Sequence, residues 1–465
     1  MKDASGHAVV LGGGIAGLLA TAALADAFST VTVVERDRLP DSPIERRGVP
    51  QGPHLHSVLS RGWLTIEELL PGFLADLSAH GSTVLEDAHL GARVHLQNGP
   101  YTFNRTAPLA DPAVLTQHLV TRPFLEFHLR RRVAALPNVT VIDGHDIVEL
   151  IANRPDRITG SSISDRRTGR ATTLTADLTV DATGRGSRTP LLLESLGLGR
   201  PPQQSFTAHG VYYSQRITIP DCHTFSERLI LVVPHTGAGR GGLIAGENNT
   251  WTLTVAKRRN DPHRPPTTFA DMLTAAQQFV PPHIHPALQR ARPLTEIMVH
   301  RYPGGTWHRY DRHPHHPGGL LVIGDALCSL DPIHGQGITI AALHAHTLRT
   351  HLHADRSVDP KHFHQALTTV TARVWAMNQP PTRLPARGIR RALHRHVTRW
   401  AQHKILEAAD DIVVTELLLR VANLIDPPQS LLRPAVLARV AAHHFRRADA
   451  KRSARRCEAT GGADD

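Results

Sequence analysis

The chain has 465 residues, enough for more than one ordinary domain and a large core. Its formal net charge of +11 comes from 52 basic against 41 acidic residues, but the arginines are spread along the chain without aromatic interleaving, which argues against a nucleic-acid surface. Cys222, Cys328 and Cys457 are too scattered for a disulfide framework. Among the 32 histidines, the groups His54-Leu55-His56 and His313-Pro314-His315-His316 have no obvious Cys or acidic complement at ligand spacing, so no metal is expected.

Residues 8–11 are an apolar run short enough for a buried parallel strand, and Gly12-Gly13-Gly14-Ile15-Ala16-Gly17 follows at once. An Ala/Leu-rich helix then reaches about Ala27, and a β-branched run over 30–34 ends on Glu35. Strand, G-x-G-x-x-G, helix, strand and acid in register describe a dinucleotide-binding unit. Gly12 makes the tight turn, Gly14 admits a pyrophosphate to the backbone, and Gly17 lets the helix pack on the strand. The helix N-terminus offers free N–H groups to phosphates, and Glu35 is placed to accept from ribose hydroxyls. Lys2, an uncharged stretch and Ala23-Leu24-Ala25 imitate a signal peptide, but three glycines and the continuing strand argue against it. No other stretch has the length and apolarity of a membrane span, and a cytoplasmic location is expected.

A Pro-rich loop leads to Arg46-Arg47-Gly48-Val49-Pro50-Gln51-Gly52-Pro53-His54-Leu55-His56, ahead of a helix over 58–70. Its two arginines and turn residues make either an anion and ring cradle or an exposed basic loop. Residues 83–110 read as short strands with turns at Asn98-Gly99-Pro100 and Asp111-Pro112, as an inserted sheet would. Helical periodicity runs over 115–136, with Arg122 either reaching a phosphate or lying on a solvated face. Strands over 139–142 and 147–151 and a hairpin over 160–174 follow.

The second motif is a strand ending at Asp181-Ala182-Thr183-Gly184, with small and basic residues after it. Period-2 runs then occupy 210–219, 228–233, 242–245, 251–255 and 296–300, around one amphipathic helix over 269–279. The glycines of 237–242 precede a strand, so they form a hairpin turn and not a second nucleotide loop. In the third motif a buried strand ends in Gly324-Asp325, which puts the carboxylate at the carboxyl end of a sheet. Pro332-Ile333-His334-Gly335-Gln336-Gly337 then opens a helix to about His351, whose glycine-bared N-terminus can hold negative charge. The chain is mostly helical from Asp355. The amphipathic helix over 387–401 either covers the core or rests on a membrane surface.

With three motifs in this order, residues 8–350 resemble the flavoprotein monooxygenases of the para-hydroxybenzoate hydroxylase fold. The resemblance implies an α/β fold with three parts. A Rossmann-like FAD-binding domain is formed by 1–82, 115–200 and 301–352. An inserted, mostly antiparallel β-sheet substrate domain is formed by 83–114 and 201–300. A C-terminal helical region over 353–450 precedes a disordered tail over 451–465. FAD contacts are implied for Gly12, Gly14, Ile15, Ala16, Gly17, Glu35, Arg36, Arg47, Arg122, Asp181, Gly324, Asp325, Pro332, Gly335 and Gly337. Ala182 replaces the glycine of the family's Asp-Gly pair, which is linked to both FAD and NAD(P)H.

The stretch Arg47-Gly48-Val49-Pro50-Gln51-Gly52-x-His54-x-His56 is similar to bacterial FAD-dependent epoxidases of polyether biosynthesis, which are distantly similar to squalene epoxidase. This implies NAD(P)H as reductant, directly or through a separate flavin reductase. It also implies O2 as co-substrate and a flavin C4a-hydroperoxide that epoxidises an olefin of a large hydrophobic polyketide or terpenoid. Olefin epoxidation needs no protein base, whereas aromatic hydroxylation gains from one. His54, His56 and Tyr212 are candidates for lining the ring, with Tyr213 and His209 beside Tyr212. Aromatic hydroxylation and double-bond reduction of the geranylgeranyl reductase type are the alternatives. The Trp-x-Trp pair of flavin halogenases is absent from the sequence. A non-enzymatic basic membrane or nucleic-acid binder would rest only on the charge and on 387–401.

Overall fold

Five short apolar runs pair in parallel in the order Leu320–Val322, Leu178–Asp181, His7–Leu11, Thr30–Val34, Val139–Ile142 in a computed structural model of the chain. The structure describes residues 5–460 except 89, 155, 234–239, 259–260, 262–263, 356–357 and 380–402. Parallel strands are covered on both faces, which is why these segments are near-continuous in Val, Ile and Leu. The Ile15–Ala25 and Gly337–Ala354 helices pack against each other and share the core built on this sheet. The register decides where the three motifs meet. Leu11 pairs with Val34 on one side and with Asp181 on the other, and Asp181 pairs with Val322. All three motif turns therefore leave the same end of the sheet from neighbouring strands.

A second, nine-stranded sheet is antiparallel except where Val94–Asn98 runs parallel to Leu229–Val233. Its spine is the pairing of Gln203–Thr218 with Met298–His308, and Trp251, Ile217, Leu243 and Leu253 centre a separate core. The short Cys328–Ser329 strand pairs with Met298–His308, so the third motif is stitched directly to this sheet. The fold is the expected α/β arrangement with a mostly antiparallel sheet and C-terminal helices.

Several local expectations shift. The periodicity over 115–136 resolves into a short strand, Gln117–Leu119, and a helix, Arg122–Ala134. Thr121 caps that helix by accepting from the Phe124 N–H, and Pro123 fits the first turn, so the helix cannot begin earlier. The tail expected to be disordered from Lys451 is instead helical as far as Thr460, within Pro434–Thr460. Its Ala, Arg, Lys and Glu are good helix formers, and that outweighs their polarity. The helix expected over 387–401 and residues 237–239 of the expected turn lie outside the described residues, while 240–242 open the Arg240–Ala245 strand. Among the described residues no helix is long and apolar enough to cross a membrane.

Candidate functional site

The first turn is built around glycine because nothing else fits. Gly12 has φ +101°, and a Cβ on Gly17 would lie 1.8 Å from the Gly12 carbonyl oxygen. Gly14 differs: a Cβ there meets nothing nearer than Arg46 Nη2 at 3.8 Å. It marks open space above the start of the Ile15–Ala25 helix. That helix has no side-chain cap and no acidic residue in its first turn, so its N–H groups face that space unspent.

Glu35 is buried and accepts hydrogen bonds from Gly13 N–H (2.8 Å) and Asp37 N–H (2.9 Å). The Arg46 guanidinium lies 3.0 Å from Glu35, 3.1 Å from Asp37 and 2.6 Å from Glu126, with its side chain 7% exposed. Burial opposes the charge on Arg46, but Glu126, Glu35 and Asp37 outweigh it and hold its pKa above the ordinary value. A carboxylate has about four acceptor positions, so Glu35 keeps roughly one for a ribose hydroxyl. Arg36 and Arg47, by contrast, are exposed. Arg36 lies 3.9 Å from Asp146.

Arg122 stands at the head of its helix, 3.6 Å from Glu126, and its Nε is buried without a hydrogen-bond partner. Burial lowers its pKa, against Glu126 and Asp325. Burial raises the pKa of Asp325, against the nearby Arg122 and Arg185. Asp181 is fully buried and accepts from Thr183 N–H (2.9 Å), Thr183 Oγ1 (2.6 Å) and Ser187 Oγ (2.5 Å). Its carboxylate thus shapes the second turn from within. Gly324 (φ +59°) lies against Ala16, and Gly335 (φ +60°) against Ser57. Pro332 to His334 form one 3-10 turn, and Gly337 opens its helix with neither a side-chain cap nor a first-turn acid.

The Gly324 turn is propped by a buried histidine. His344 Nδ1 accepts from Gly324 N–H at 3.1 Å and its Nε2 meets Thr371 Oγ1, while His364 Nε2 accepts from Val322 N–H. Burial holds both imidazoles neutral, with pKa values lowered to about 3. Each takes up a proton only on unfolding. Their stabilisation is therefore complete above the ordinary value of 6.5 and is lost as pH falls toward 3. Two such groups should remove roughly 2 kcal/mol of stability between pH 6 and pH 5. Denaturant midpoints that stay level over that interval would contradict this.

A second group of polar side chains is built from the second sheet and the loop before residue 60. His54 Nδ1 lies 2.9 Å from Ser214 Oγ, which lies 2.7 Å from Thr254 Oγ1. The His54 and His300 rings are 5.4 Å apart. Burial, reinforced by His300, lowers His54 to about 4, and burial, reinforced by Arg122, lowers His56 to about 3. His56 Nδ1 lies 2.8 Å from the His54 carbonyl, which accepts from it. Tyr212 donates to Asp331 (2.9 Å), and burial first, then Asp331, push its phenol well above the ordinary value. Tyr213 points to the opposite face, into the sheet's core, and His209 is exposed. Tyr302, two residues from His300 on the same strand, has a buried hydroxyl without a partner, and Arg185 lies over its ring at 5.3 Å. The motif includes Arg47, but the fold buries Arg46, and Arg185, His300, Tyr302 and Asp331 join this region without a local motif that marks them. Their period-2 strands were legible, but which face met the loop was not.

Two observations test this cleft for a dinucleotide. Arg122 Nε is a buried donor without an acceptor, and the uncapped helix behind Gly14 separately offers its N–H groups to open space. Donors of both kinds suit an anionic pyrophosphate, and the residues fit FAD. A family model described as an FAD binding domain matches residues 75–360, well over half of the chain. The chain belongs to this FAD-binding family. FAD is its cofactor, and the flavoprotein is an enzyme of the FAD-dependent monooxygenase type. It is 33% identical over 459 residues to Protein Rv3254 of Mycobacterium tuberculosis, spanning 95% of this chain and 94% of that one. It is 26% identical over 358 residues to kynurenine 3-monooxygenase of Salinispora tropica, spanning 72% and 69%. The solved structure of p-nitrophenol 4-monooxygenase PnpA from Pseudomonas putida shares the fold, with a TM-score of 0.60 at 16% identity over 92% of this chain and 100% of that one.

Proposed function

We propose that the flavoprotein epoxidises an electron-rich double bond in a large apolar natural product. The balanced reaction is olefin, O2, NAD(P)H and a proton giving epoxide, NAD(P)+ and water. The proposed FAD contacts are the Gly12, Gly14 and Gly17 turn with Ile15 and Ala16, then Glu35, Arg122, Asp325, Pro332, Gly335 and Gly337. In this reading Asp181 acts by holding its turn. When bound, FAD supplies the two-electron activation of O2. The protein's part is to position the substrate and exclude water.

The observation that supports this reading is the placement of residues 54–57. Ser57 abuts Gly335, His54 meets Ser214 of the second sheet, and Leu55 packs on that sheet's apolar core against Gly242. The segment that is similar to the polyether epoxidases therefore forms the wall between the proposed ring site and the substrate sheet. The His54–Ser214–Thr254 chain favours a second reading, hydroxylation of a phenol or aniline ring, because His54 is neutral above about pH 4 and can accept a proton.

One experiment separates them. The flavoprotein and its His54→Gln variant are given polyene and phenolic substrates under 18O2, and products are assigned by mass. Epoxidation predicts one 18O in a polyene epoxide and a kcat in His54→Gln within about threefold of the parent. Hydroxylation predicts a labelled phenol and a kcat at least about 100-fold lower, with parent activity falling only as pH drops through about 4. Oxidation of NAD(P)H with no label in any product would sink both and leave double-bond reduction.

A further inference from the structure

Away from the proposed flavin cleft, the end of the Phe73–Ala79 helix meets the middle of the Arg122–Ala134 helix through Asp76, His80 and His128. One nitrogen or oxygen from each of the three lies within 4.8 Å of the other two. Asp76 and His80 are four residues apart and share a helix face. His80 Nδ1 lies 2.8 Å from the Asp76 carbonyl oxygen, which can only accept, so Nδ1 carries the proton and Nε2 the lone pair. Backbone locking of one imidazole nitrogen is the arrangement that presents the other to a metal.

His128 is 3% exposed, and its Nδ1 is buried without a hydrogen-bond partner. Its ring is held by Phe124 at 4.3 Å and lies 4.5 Å from that of His80. The Asp76 and His80 side chains are 36% and 39% exposed, which leaves an ion a way in. The carbonyl end of the Phe73–Ala79 helix adds negative potential at the same point. The competing cation is Arg131, whose Nη1 lies 3.5 Å from His80 Nε2.

We propose that Asp76, His80 and His128 form a divalent metal site of the zinc, cobalt or nickel class, clamping these two helices together. Two imidazoles and a carboxylate are donors for borderline metals, with water completing a tetrahedron. Metal–ligand distances of about 2.0–2.2 Å set ligand separations near 3.4 Å, so the three ligand atoms, now within 4.8 Å of one another, draw in around the entering ion. Arg131 swings away as they do.

The test uses the FAD-loaded protein after chelator treatment and dialysis. Co2+ is titrated while d–d absorption is followed at wavelengths beyond the flavin bands, and Zn2+ is scored by thermal shift. The chain has 32 histidines, so each readout is the difference between the parent and one variant. The parent should bind one more equivalent of Co2+ than His80→Asn, with tetrahedral band intensity. Saturating Zn2+ should raise the parent's Tm by roughly 2–5 °C more than that of His80→Asn. Asp76→Asn should weaken binding at least about tenfold. Arg131→Gln should tighten it several-fold by removing the competing cation. His80 and Arg131 are surface residues, so these variants fold, and unchanged flavin absorbance checks that they do. Equal Co2+ stoichiometry and equal Zn2+ shifts in the parent and His80→Asn would overturn the proposal, as would weaker binding in Arg131→Gln.

Discussion

Gly17→Ala should yield a protein that is destabilised by about 3 kcal/mol or more and recovered without flavin. The new methyl would sit 1.8 Å from the Gly12 carbonyl oxygen, 3.0 Å from its carbon and 3.3 Å from Val10. The first two are backbone atoms of the turn, and Val10 is a fully buried strand residue, so none can step aside. The Ile15–Ala25 helix would have to lift off its strand by more than an ångström, carrying the phosphate-facing N–H groups with it. Gly14→Ala makes the contrast. Its φ of −78° suits any residue, and its methyl meets only Arg46 Nη2 at 3.8 Å. Stability of the apo protein should change by less than about 1 kcal/mol and can rise, because alanine restricts the unfolded chain. FAD affinity should nevertheless fall by about 100-fold, since the methyl occupies the space the pyrophosphate needs. Chemical denaturation and flavin fluorescence titration of both variants check the pair. A Gly14→Ala protein that binds FAD as tightly as the parent would show that the phosphates do not pass over this residue.

The two glycines also show what was legible beforehand. Both belong to a local pattern, strand, turn and helix, whose constraints lie within a few residues and can be read from spacing. The same holds for Gly324-Asp325 and for the glycine-bared start of the Gly337–Ala354 helix. That the three turns converge follows from one further fact, the register of Leu11 against Val34 and Asp181. Non-local pairing was not legible. The run over 115–120 looked helical, but Gln117–Leu119 finds an antiparallel partner in Thr83–Leu85 more than thirty residues earlier. Nor can spacing say which of two adjacent arginines turns inward. The histidines show the same limit from the other side. Grouping in sequence pointed to 54–56 and 313–316, whereas the cluster of Asp76, His80 and His128 joins residues from two helices.

Arg46 is the residue for which this matters most. Its guanidinium is the shared counterion of Glu35, Asp37 and Glu126, each with a side chain less than 10% exposed. Arg46→Met keeps the volume and removes the charge, leaving three carboxylates close together away from water. The expected cost is about 3–5 kcal/mol, far above that of a surface ion pair. Arg46→Lys should recover only part of it, because an ammonium is a compact point charge without the planar fork that spans carboxylates on several sides. Adding Glu126→Gln to Arg46→Met should restore stability, since it removes the carboxylate with the shortest contact, 2.6 Å. FAD affinity should fall in Arg46→Met as well, because Glu35 orders the turn through Gly13 N–H. Arg47→Met is the decisive companion. Arg47 is exposed, so stability should move by less than about 0.5 kcal/mol. If flavin titration then shows Arg47→Met losing FAD while Arg46→Met retains it, the cofactor contact belongs to Arg47 and Arg46 serves only the acidic cluster.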